Sequence, residues 1–142
     1  MRIHEVISGK PSQQVITINP DASVRELLAL LAEHNVGALI VSSDGTSVDG
    51  IVSERDVVRR LHTDESALEG PVSGIMTVGV FTCDPDNSLD DLMALMTERR
   101  IRHVPVVTEG RLAGIVSIGD IVKHRIGELE FERDQLDSYI QS

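Results

Sequence analysis

A nine-residue pattern occurs twice in this 142-residue chain, and it restricts the possible folds more than any other feature. The two copies are Gly50–Val58 (GIVSERDVV) and Gly114–Val122 (GIVSIGDIV), and their serines, Ser53 and Ser117, lie 64 residues apart. Each copy has an apolar run, a serine, a carboxylate three residues later and a second apolar run. This order predicts a strand followed directly by a helix. The chain is therefore expected to contain two similar units.

The repetition extends upstream of both copies. In the first unit, a β-branched strand at 15–18 precedes a capped helix at about 23–34, a strand at 36–42 and a turn at Asp44-Gly45. The second unit has the same order 65 residues later, with a capped helix from Ser88, a strand at 101–107 and a turn at Glu109-Gly110. Each unit is thus predicted to be β-α-β-β-α.

These elements predict a mixed α/β (α+β) fold made of two packed repeats and a long C-terminal helix. The predicted parts are residues 1–74 (first repeat with an N-terminal segment and a linker), 75–126 (second repeat) and 127–142 (C-terminal helical extension). A single repeat of about 50 residues buries too little apolar surface to be stable alone. The two repeats are therefore expected to pack on each other.

Composition argues against several classes of protein. A net charge of −10 opposes binding to DNA or RNA, and aromatic residues, at 2%, leave few rings for stacking on bases. No run of 18 apolar residues and no signal-peptide segment occurs, so we expect a cytoplasmic protein without a membrane interaction. Cys83 is the only cysteine, which excludes an internal disulfide and a cysteine-rich metal site.

The Ser-x-x-Asp pairs, Ser53 with Asp56 and Ser117 with Asp120, have two interpretations. Each pair can cap its helix, because serine and a carboxylate three residues later satisfy free backbone N–H groups. Each can also bind a ligand with hydroxyl and phosphate groups at the helix N-terminus. No serine-histidine-aspartate order, phosphate-binding loop or metalloprotease motif is present, so we expect a protein that is not an enzyme and has no metal.

The ordered repetition resembles a tandem pair of CBS domains, the cystathionine β-synthase type. The resemblance covers about Ile3 to His124, and each repeat ends in Gly-apolar-apolar-Ser-x-x-Asp-apolar-apolar. Further marks are Ile75-Met76-Thr77, the turns Asn19-Pro20-Asp21 and Asp84-Pro85-Asp86, and the run Arg102-His103-Val104-Pro105-Val106-Val107.

The resemblance implies two clefts between the repeats, related by a pseudo-twofold axis, that bind AMP, ADP, ATP, S-adenosylmethionine or NAD(H). In such clefts the aspartate holds the ribose diol, and the serine with the helix N-terminus approaches the phosphate. Carried onto this chain, the first cleft combines Ser53, Arg55, Asp56, Val80, Ile101, Arg102 and His103. The second combines Ser117, Asp120, Ile16, Val36, Gly37 and Ala38.

The two clefts differ in charge. Arg55 and Arg102 suit the first cleft to phosphates, whereas Gly119 and Gly37 occupy the corresponding positions of the second. Ile40 also replaces the proline found at position 105 of the second repeat. We therefore expect phosphate-rich ligands in the first cleft, and in the second the less charged end of a ligand or nothing.

The C-terminal extension carries a heptad-like apolar pattern. Apolar residues at Val122, Ile126, Leu129, Leu136 and Ile140 share one helix face, with Arg133 in the gap. This face can fold back onto its own chain or pair with a second subunit, and we expect a homodimer. The main hypothesis is a stand-alone regulatory module that binds an adenine nucleotide and reports energy or redox state to an unidentified protein. The alternative is a structural dimerisation module with unoccupied clefts.

Overall fold

The protein contains five α-helices and five strands in the part that the structure, a computed structural model, describes, namely residues 1–9 and 15–141. In chain order the elements are α1 (Ile3–Ser8), β1 (Thr17–Ile18), α2 (Val24–His34), β2 (Ala38–Val41), β3 (Gly50–Ser53), α3 (Glu54–Thr63), α4 (Leu89–Arg99), β4 (His103–Thr108), β5 (Arg111–Ser117) and α5 (Ile118–Gln141). Two short 3₁₀ helices, Glu65–Glu69 and Val72–Gly74, occupy the predicted linker. The predicted mixed α/β class with a long C-terminal helix is confirmed.

Each repeat forms its own small sheet. The first has the order β1-β2-β3, with β1 parallel and β3 antiparallel to β2. The second contains β4 and β5, and Cys83 makes a single parallel bridge to Val106. That bridge lies 65 residues after the pairing of Ile18 with Val41. The strand expected near Val80 is therefore reduced to one bridge.

Helices α2 and α4, which precede β2 and β4, begin and end in the same way in the two repeats. Ser23 Oγ accepts a hydrogen bond from the Glu26 N–H, and Ser88 Oγ accepts one from the Asp91 N–H, both at 3.1 Å. The helices end at Asn35 and Arg100, which have φ values of 51° and 56°. The predicted capped helices are thus present, and each turns sharply into the following strand.

Two aliphatic cores hold the molecule together, and each takes residues from outside its own repeat. The first core, around Leu27 and Val52, includes Val72 of the linker, and Ile75 and Met76 from beyond residue 74 pack against it. The second core, around Leu92 and Val116, includes Ile3 and Val6 of α1. The packing therefore crosses the boundary expected at residue 74.

Reciprocal backbone hydrogen bonds join these exchanged segments to the cores. The Val72 N–H donates to the Ala22 oxygen at 2.8 Å, and the Ile3 N–H donates to the Asn87 oxygen at 3.1 Å. Further bonds follow the same offset: Val24 N–H to Gly70, Leu89 N–H to Met1, Ser73 N–H to Pro20 and His4 N–H to Pro85. The segment before each repeat thus completes the other repeat, so neither unit is whole without its neighbour.

The glycine that begins each repeated motif lets the exchanged segment approach closely. A Cβ on Gly50 would lie 2.8 Å from the Thr77 carbonyl oxygen and 2.9 Å from Met76 Sδ. A Cβ on Gly114 would lie 3.3 Å from Ile7 Cδ1. Contacts below 3.0 Å cannot be accommodated without movement, so the first repeat depends more strictly on its glycine.

Helix α5 extends beyond the second repeat, as predicted. Its first half is attached by Ile121, which is buried, and by Arg125, whose Nη2 lies 2.6 Å from Asp90 Oδ1. Residues 129–140 are all exposed, so the tail does not fold back onto its own chain. Across the described residues, every helix is too short or too polar to cross a membrane.

Candidate functional site

A cavity of about 340 Å³ lies between the two repeats. The first repeat contributes Gly37, Ala38, Ile51, Ser53, Glu54, Arg55, Asp56 and Arg59 to its wall, and the rest of the chain contributes Thr77, Arg100, Ile101, Arg102 and His103. A molecule bound here would contact both repeats at once.

The repeated serine and aspartate form one edge of this cavity at the start of α3. Ser53 donates to Asp56 Oδ2 through its N–H at 2.8 Å and its hydroxyl at 3.1 Å, and the Asp56 N–H donates to Ser53 Oγ at 3.3 Å. This is a complete capping box. The capping bonds that the carboxylate accepts both use Oδ2, and Asp56 also lines the cavity. Capping and ligand binding are thus compatible.

Gly37 and Ala38 lie in this cavity and not in the second cleft, to which the sequence analysis assigned them. The reason is the antiparallel register, in which Ala38 pairs with Ser53. The Glu54 N–H also donates to the Gly37 oxygen at 3.0 Å. The strand after α2 is therefore fixed beside the serine of its own repeat. The predicted hairpin and its turn were the signal that could have shown this.

Thr77 reaches the cavity by extending the first sheet. Its N–H donates to the Ile51 oxygen at 2.8 Å, and the Ile51 N–H donates to the Thr77 oxygen at 3.0 Å. This pairing places the segment before the second repeat along the free edge of β3. The same close approach is the one that requires glycine at position 50.

The cavity wall contains four arginines and two carboxylates, those of Glu54 and Asp56. Arg55 and Arg102 were predicted from the sequence, whereas Arg59 and Arg100 were not. Arg59 is one helical turn after Arg55, a spacing that places both on the same face of α3. Hence a chain with a net charge of −10 concentrates cations at one cavity between its repeats.

Arg100 also has a backbone conformation that arginine seldom adopts. It ends α4 with φ of 56° and ψ of 40°, where the corresponding residue of the first repeat, Asn35, is of a type that tolerates this region. Unfavourable backbone conformations of this kind concentrate at functional sites. An arginine at this position of the cavity wall therefore has some cost in backbone energy.

His103 and Glu54 lie on either side of Gly37. A Cβ built on Gly37 would be 3.6 Å from Glu54 Oε1 and 4.0 Å from His103 Cε1. Gly37 of the first repeat therefore faces His103 of the second, and a larger side chain at position 37 would approach both of these side chains.

The second Ser-x-x-Asp pair has the same local geometry but a different environment. The Ser117 N–H donates to Asp120 Oδ2 at 2.9 Å, and the Asp120 N–H donates to Ser117 Oγ at 3.1 Å. Asp120 lines a separate groove of about 500 Å³ between α1 and α5, together with Val6, Gly9, Lys123, His124, Gly127, Glu128 and Phe131. Apart from Asp120, these residues are not the ones expected for the second cleft.

The remaining predicted residues do not line either cavity. Ile16 packs against the first core, Val36 is 40% exposed beyond the end of α2, and Val80 is half-buried between the bridges at Thr77 and Cys83. Ser117 pairs with His103 in the antiparallel register of β4 and β5. Of the residues predicted for the first cleft, all but Val80 line the cavity of about 340 Å³, whereas of those predicted for the second cleft Asp120 lines the groove of about 500 Å³.

Residues with metal-binding or nucleophilic chemistry add no second site. Over residues 1–9 and 15–141, no three histidine, cysteine or acidic side chains are grouped as a metal would require. Burial raises the pKa of the Cys83 thiol to about 11, and the charge of Asp84 adds to the effect. Cys83 is therefore a protonated core residue at neutral pH.

Comparison with known proteins gives the same architecture. A sequence model described as "CBS domain" matches residues 3–63 and 72–127. The CBS domain-containing protein YhcV of Bacillus subtilis is 33% identical over 113 residues, which are 80% of this chain and 80% of that protein. The mitochondrial CBS domain-containing protein CBSX3 of Arabidopsis thaliana is 36% identical over 85% of this chain and 61% of its own length.

Two solved structures are similar throughout most of the chain. The CBS-domain containing protein ATU1752 from Agrobacterium tumefaciens has a TM-score of 0.83 and 41% identity, covering 88% of this chain and 99% of that one. The CBS domain pair of protein MJ0100, in complex with 5′-methylthioadenosine and S-adenosyl-L-methionine, has a TM-score of 0.79 and 26% identity. That comparison covers 90% of this chain and 98% of the other.

Proposed function

The chain belongs to the CBS-domain family, as a tandem pair, and we propose that it is a regulatory module that binds an adenosine-containing nucleotide beside Asp56. AMP, ADP, ATP and NAD(H) are the candidate ligands. The observation that carries the proposal is the cavity wall, in which the Ser-x-x-Asp pair of one repeat faces a group of arginines drawn from both.

Each part of the nucleotide has a complementary group in this cavity. The Asp56 carboxylate can accept hydrogen bonds from both hydroxyls of a ribose, and charge-assisted bonds contribute roughly 1.5–3 kcal/mol each. The N-terminus of α3 and the arginines favour phosphate. Apolar wall residues, among them Ile51 and Ile101, offer a surface to the adenine.

The four arginines favour ligands with two or more phosphates. MJ0100 is bound to 5′-methylthioadenosine and S-adenosyl-L-methionine, which carry adenosine but no phosphate. A site for such ligands has no need of a phosphate-binding cluster. We therefore place ADP, ATP and NAD(H) ahead of AMP for this chain.

Binding at this position couples the ligand to the arrangement of the repeats. Without an anion, Arg55 and Arg59 on one side and Arg100 and Arg102 on the other repel each other across the cavity. A phosphate chain removes that repulsion and joins both sides, so the bound form favours a closer arrangement. The change in arrangement is the signal that a regulated protein would detect.

Calorimetric titration of ATP, ADP, NAD and adenosine tests the proposal directly. We expect Arg102→Ala to weaken ATP binding by roughly tenfold, the loss of one charged contact, while adenosine binding changes little. Arg111→Ala is the matched control, because Arg111 is exposed and lines neither cavity. If none of these ligands gives a measurable heat of binding, the proposal is wrong.

The second candidate function is a structural dimerisation module whose cavities stay empty. The apolar face exposed along α5 favours it, and the same face leads us to propose that the protein is a homodimer in either case. If the protein is only a structural module, its dimer should unfold at the same temperature with and without nucleotide. A nucleotide sensor would unfold at a higher temperature, because a ligand that binds only the folded state stabilises it.

A further inference from the structure

We infer that α5 pairs with α5 of a second copy in the antiparallel orientation, with Arg133 of each chain beside the partner's Leu129. This inference rests on the homodimer proposed above and adds its interface, direction and register. The contact surface is the α5 stripe, defined as Val122, Ile126, Leu129, Arg133, Leu136 and Ile140.

The α5 stripe is an apolar face without a covering element in the part of the chain that the structure describes. Its residues follow alternating steps of four and three, which keep them on one side of the helix. The apolar members are between 50 and 78% exposed. The side of α5 that holds the domain is a different one, carrying the buried Ile121 and the ion pair of Arg125 with Asp90.

The length of the stripe favours a second copy of α5 as the element that covers it. From Val122 to Ile140 it spans 18 residue steps, or about 27 Å. One antiparallel register brings the whole of both stripes together, with Val122 against the partner's Ile140, Ile126 against the partner's Leu136 and Leu129 against the partner's Arg133. Shifting the register by one heptad leaves part of each stripe without a partner.

Charge at the centre of the stripe favours the antiparallel orientation. In a parallel pair, Arg133 would meet the partner's Arg133 within the seam, and Glu132 would approach the partner's Asp137. Both contacts are repulsive. In the antiparallel pair, Arg133 packs on the partner's Leu129 between two carboxylates, the partner's Glu130 and the partner's Glu132.

The ends of the stripe are complementary in the antiparallel pair as well. Lys123, next to Val122, lies beside the partner's Asp137, and symmetry creates this contact twice. The glutamates at 130 and 132 approach their own copies near the twofold axis, where the two Arg133 side chains offset the repulsion. Within one chain, the Arg133 guanidinium lies 3.4 Å from the carboxylate of the neighbouring Asp134, and both side chains are exposed.

The first experiment measures assembly of the full chain by sedimentation and native mass spectrometry. We expect a dimer, and we expect Leu129→Glu with Leu136→Glu to convert it to monomer, since two buried apolar contacts become charges. The matched control, Gln135→Glu with Ser138→Glu, adds the same charge to exposed positions off the stripe and should stay dimeric. A dimer that survives the stripe substitutions overturns the inference.

The second experiment determines direction through disulfide formation under mild oxidation. Chains carrying Val122→Cys and Ile140→Cys are mixed, and we expect a disulfide between the two kinds of chain. Ile140→Cys alone should not cross-link, because its copies lie about 27 Å apart in the antiparallel pair. A disulfide between two Ile140→Cys chains indicates parallel helices and overturns the inference. The unsubstituted chain is the control, since its one cysteine, Cys83, is buried.

These outcomes are separate from the nucleotide proposal. The stripe is on α5, and none of its residues lines the cavity at Asp56. Failure to bind any nucleotide would leave the cross-linking pattern intact. A monomeric full-length protein would remove the pairing inferred here, whereas calorimetry would still decide on nucleotide binding.

Discussion

The two Ser-x-x-Asp pairs of this protein have nearly identical local geometry and very different surroundings. At Ser53 and Ser117, the backbone N–H donates to the aspartate three residues later at 2.8 and 2.9 Å. Beyond the cap the similarity ends. Asp56 opens onto a cavity with four arginines, and Asp120 opens onto a groove formed with α1.

The comparison shows that repetition preserves the cap, whereas the neighbours determine what the cap can bind. Arg55 corresponds to Gly119, and Arg102 with His103 corresponds to Gly37 with Ala38. The helices after the two caps differ too: α3 stops at Thr63, whereas α5 continues to Gln141. One repeat therefore carries the candidate ligand site and the other carries the candidate assembly surface.

The largest expected difference between the repeats is in nucleotide binding by Asp56→Ala and Asp120→Ala. Each variant loses one capping box, so both should lose about 1 kcal/mol of stability. Only Asp56→Ala should lose the ribose contact, weakening ATP by roughly 10- to 150-fold and abolishing discrimination against 2′-deoxy-ATP. Calorimetry and thermal melts on both variants measure the two effects. Equal loss of nucleotide affinity would mean that the two sites are equivalent after all.

The glycines that begin the repeated motifs should differ in their tolerance of a methyl group. Gly50→Ala places a Cβ against a backbone carbonyl at 2.8 Å, and we expect a loss of about 1–3 kcal/mol. Gly114→Ala meets the flexible end of Ile7 at 3.3 Å and should cost less. Urea denaturation compares the pair. If Gly114→Ala proves the more damaging, the exchanged segments are not packed as described.

Substitutions that make one repeat more like the other test how much charge contributes to nucleotide binding. Arg55→Gln should weaken ATP by roughly tenfold while the α3 cap remains, because only a phosphate contact is lost. Gly119→Arg meets no clash at its Cβ, which would be 3.6 Å from the nearest atom, Ser117 Oγ. It should create no second site, because among the described residues the groove beside Asp120 is lined by no arginine of its own and its Lys123 lies with the carboxylate of Glu128. A second equivalent of bound ATP would contradict this prediction.

The smallest expected difference concerns Cys83 and its counterpart in the first repeat, Ile18, which does not titrate. Burial and then Asp84 raise the pKa of Cys83 from an ordinary value of 9.0 to about 11. In the folded state the Cys83 thiol therefore keeps its proton to a higher pH than in the unfolded chain. The free energy of unfolding should fall as pH rises from 9 to 11. Melts of Cys83→Val across this range should show less of that decline. If the decline of the melting temperature with pH is unchanged in Cys83→Val, other titrating groups cause it.

Much of the fold was predictable because it depends on local pattern. The capping serines at 23, 53, 88 and 117, the helical spacing after them and the turn glycines are read within a few residues of each other. The 64- to 65-residue repeat then implies two similar units. Asp56, Arg55 and Arg102 could be named as site residues for the same reason, since each occupies a recognisable position in a repeated motif.

What only the tertiary structure decided depends on contacts between residues far apart in sequence. The exchange of Ile3 and Val72 between cores follows a 69-residue offset that differs from the main repeat, so the pattern conceals it. Strand register moved Gly37 to the first cavity, and the packing of the repeats added Arg100. A sequence specifies which side chains are apolar or charged, but the distance between Asp56 and Arg100 is set by the packing of two cores. For that reason the caps were visible in the sequence, and the difference between the two sites emerged fully only from the assembled molecule.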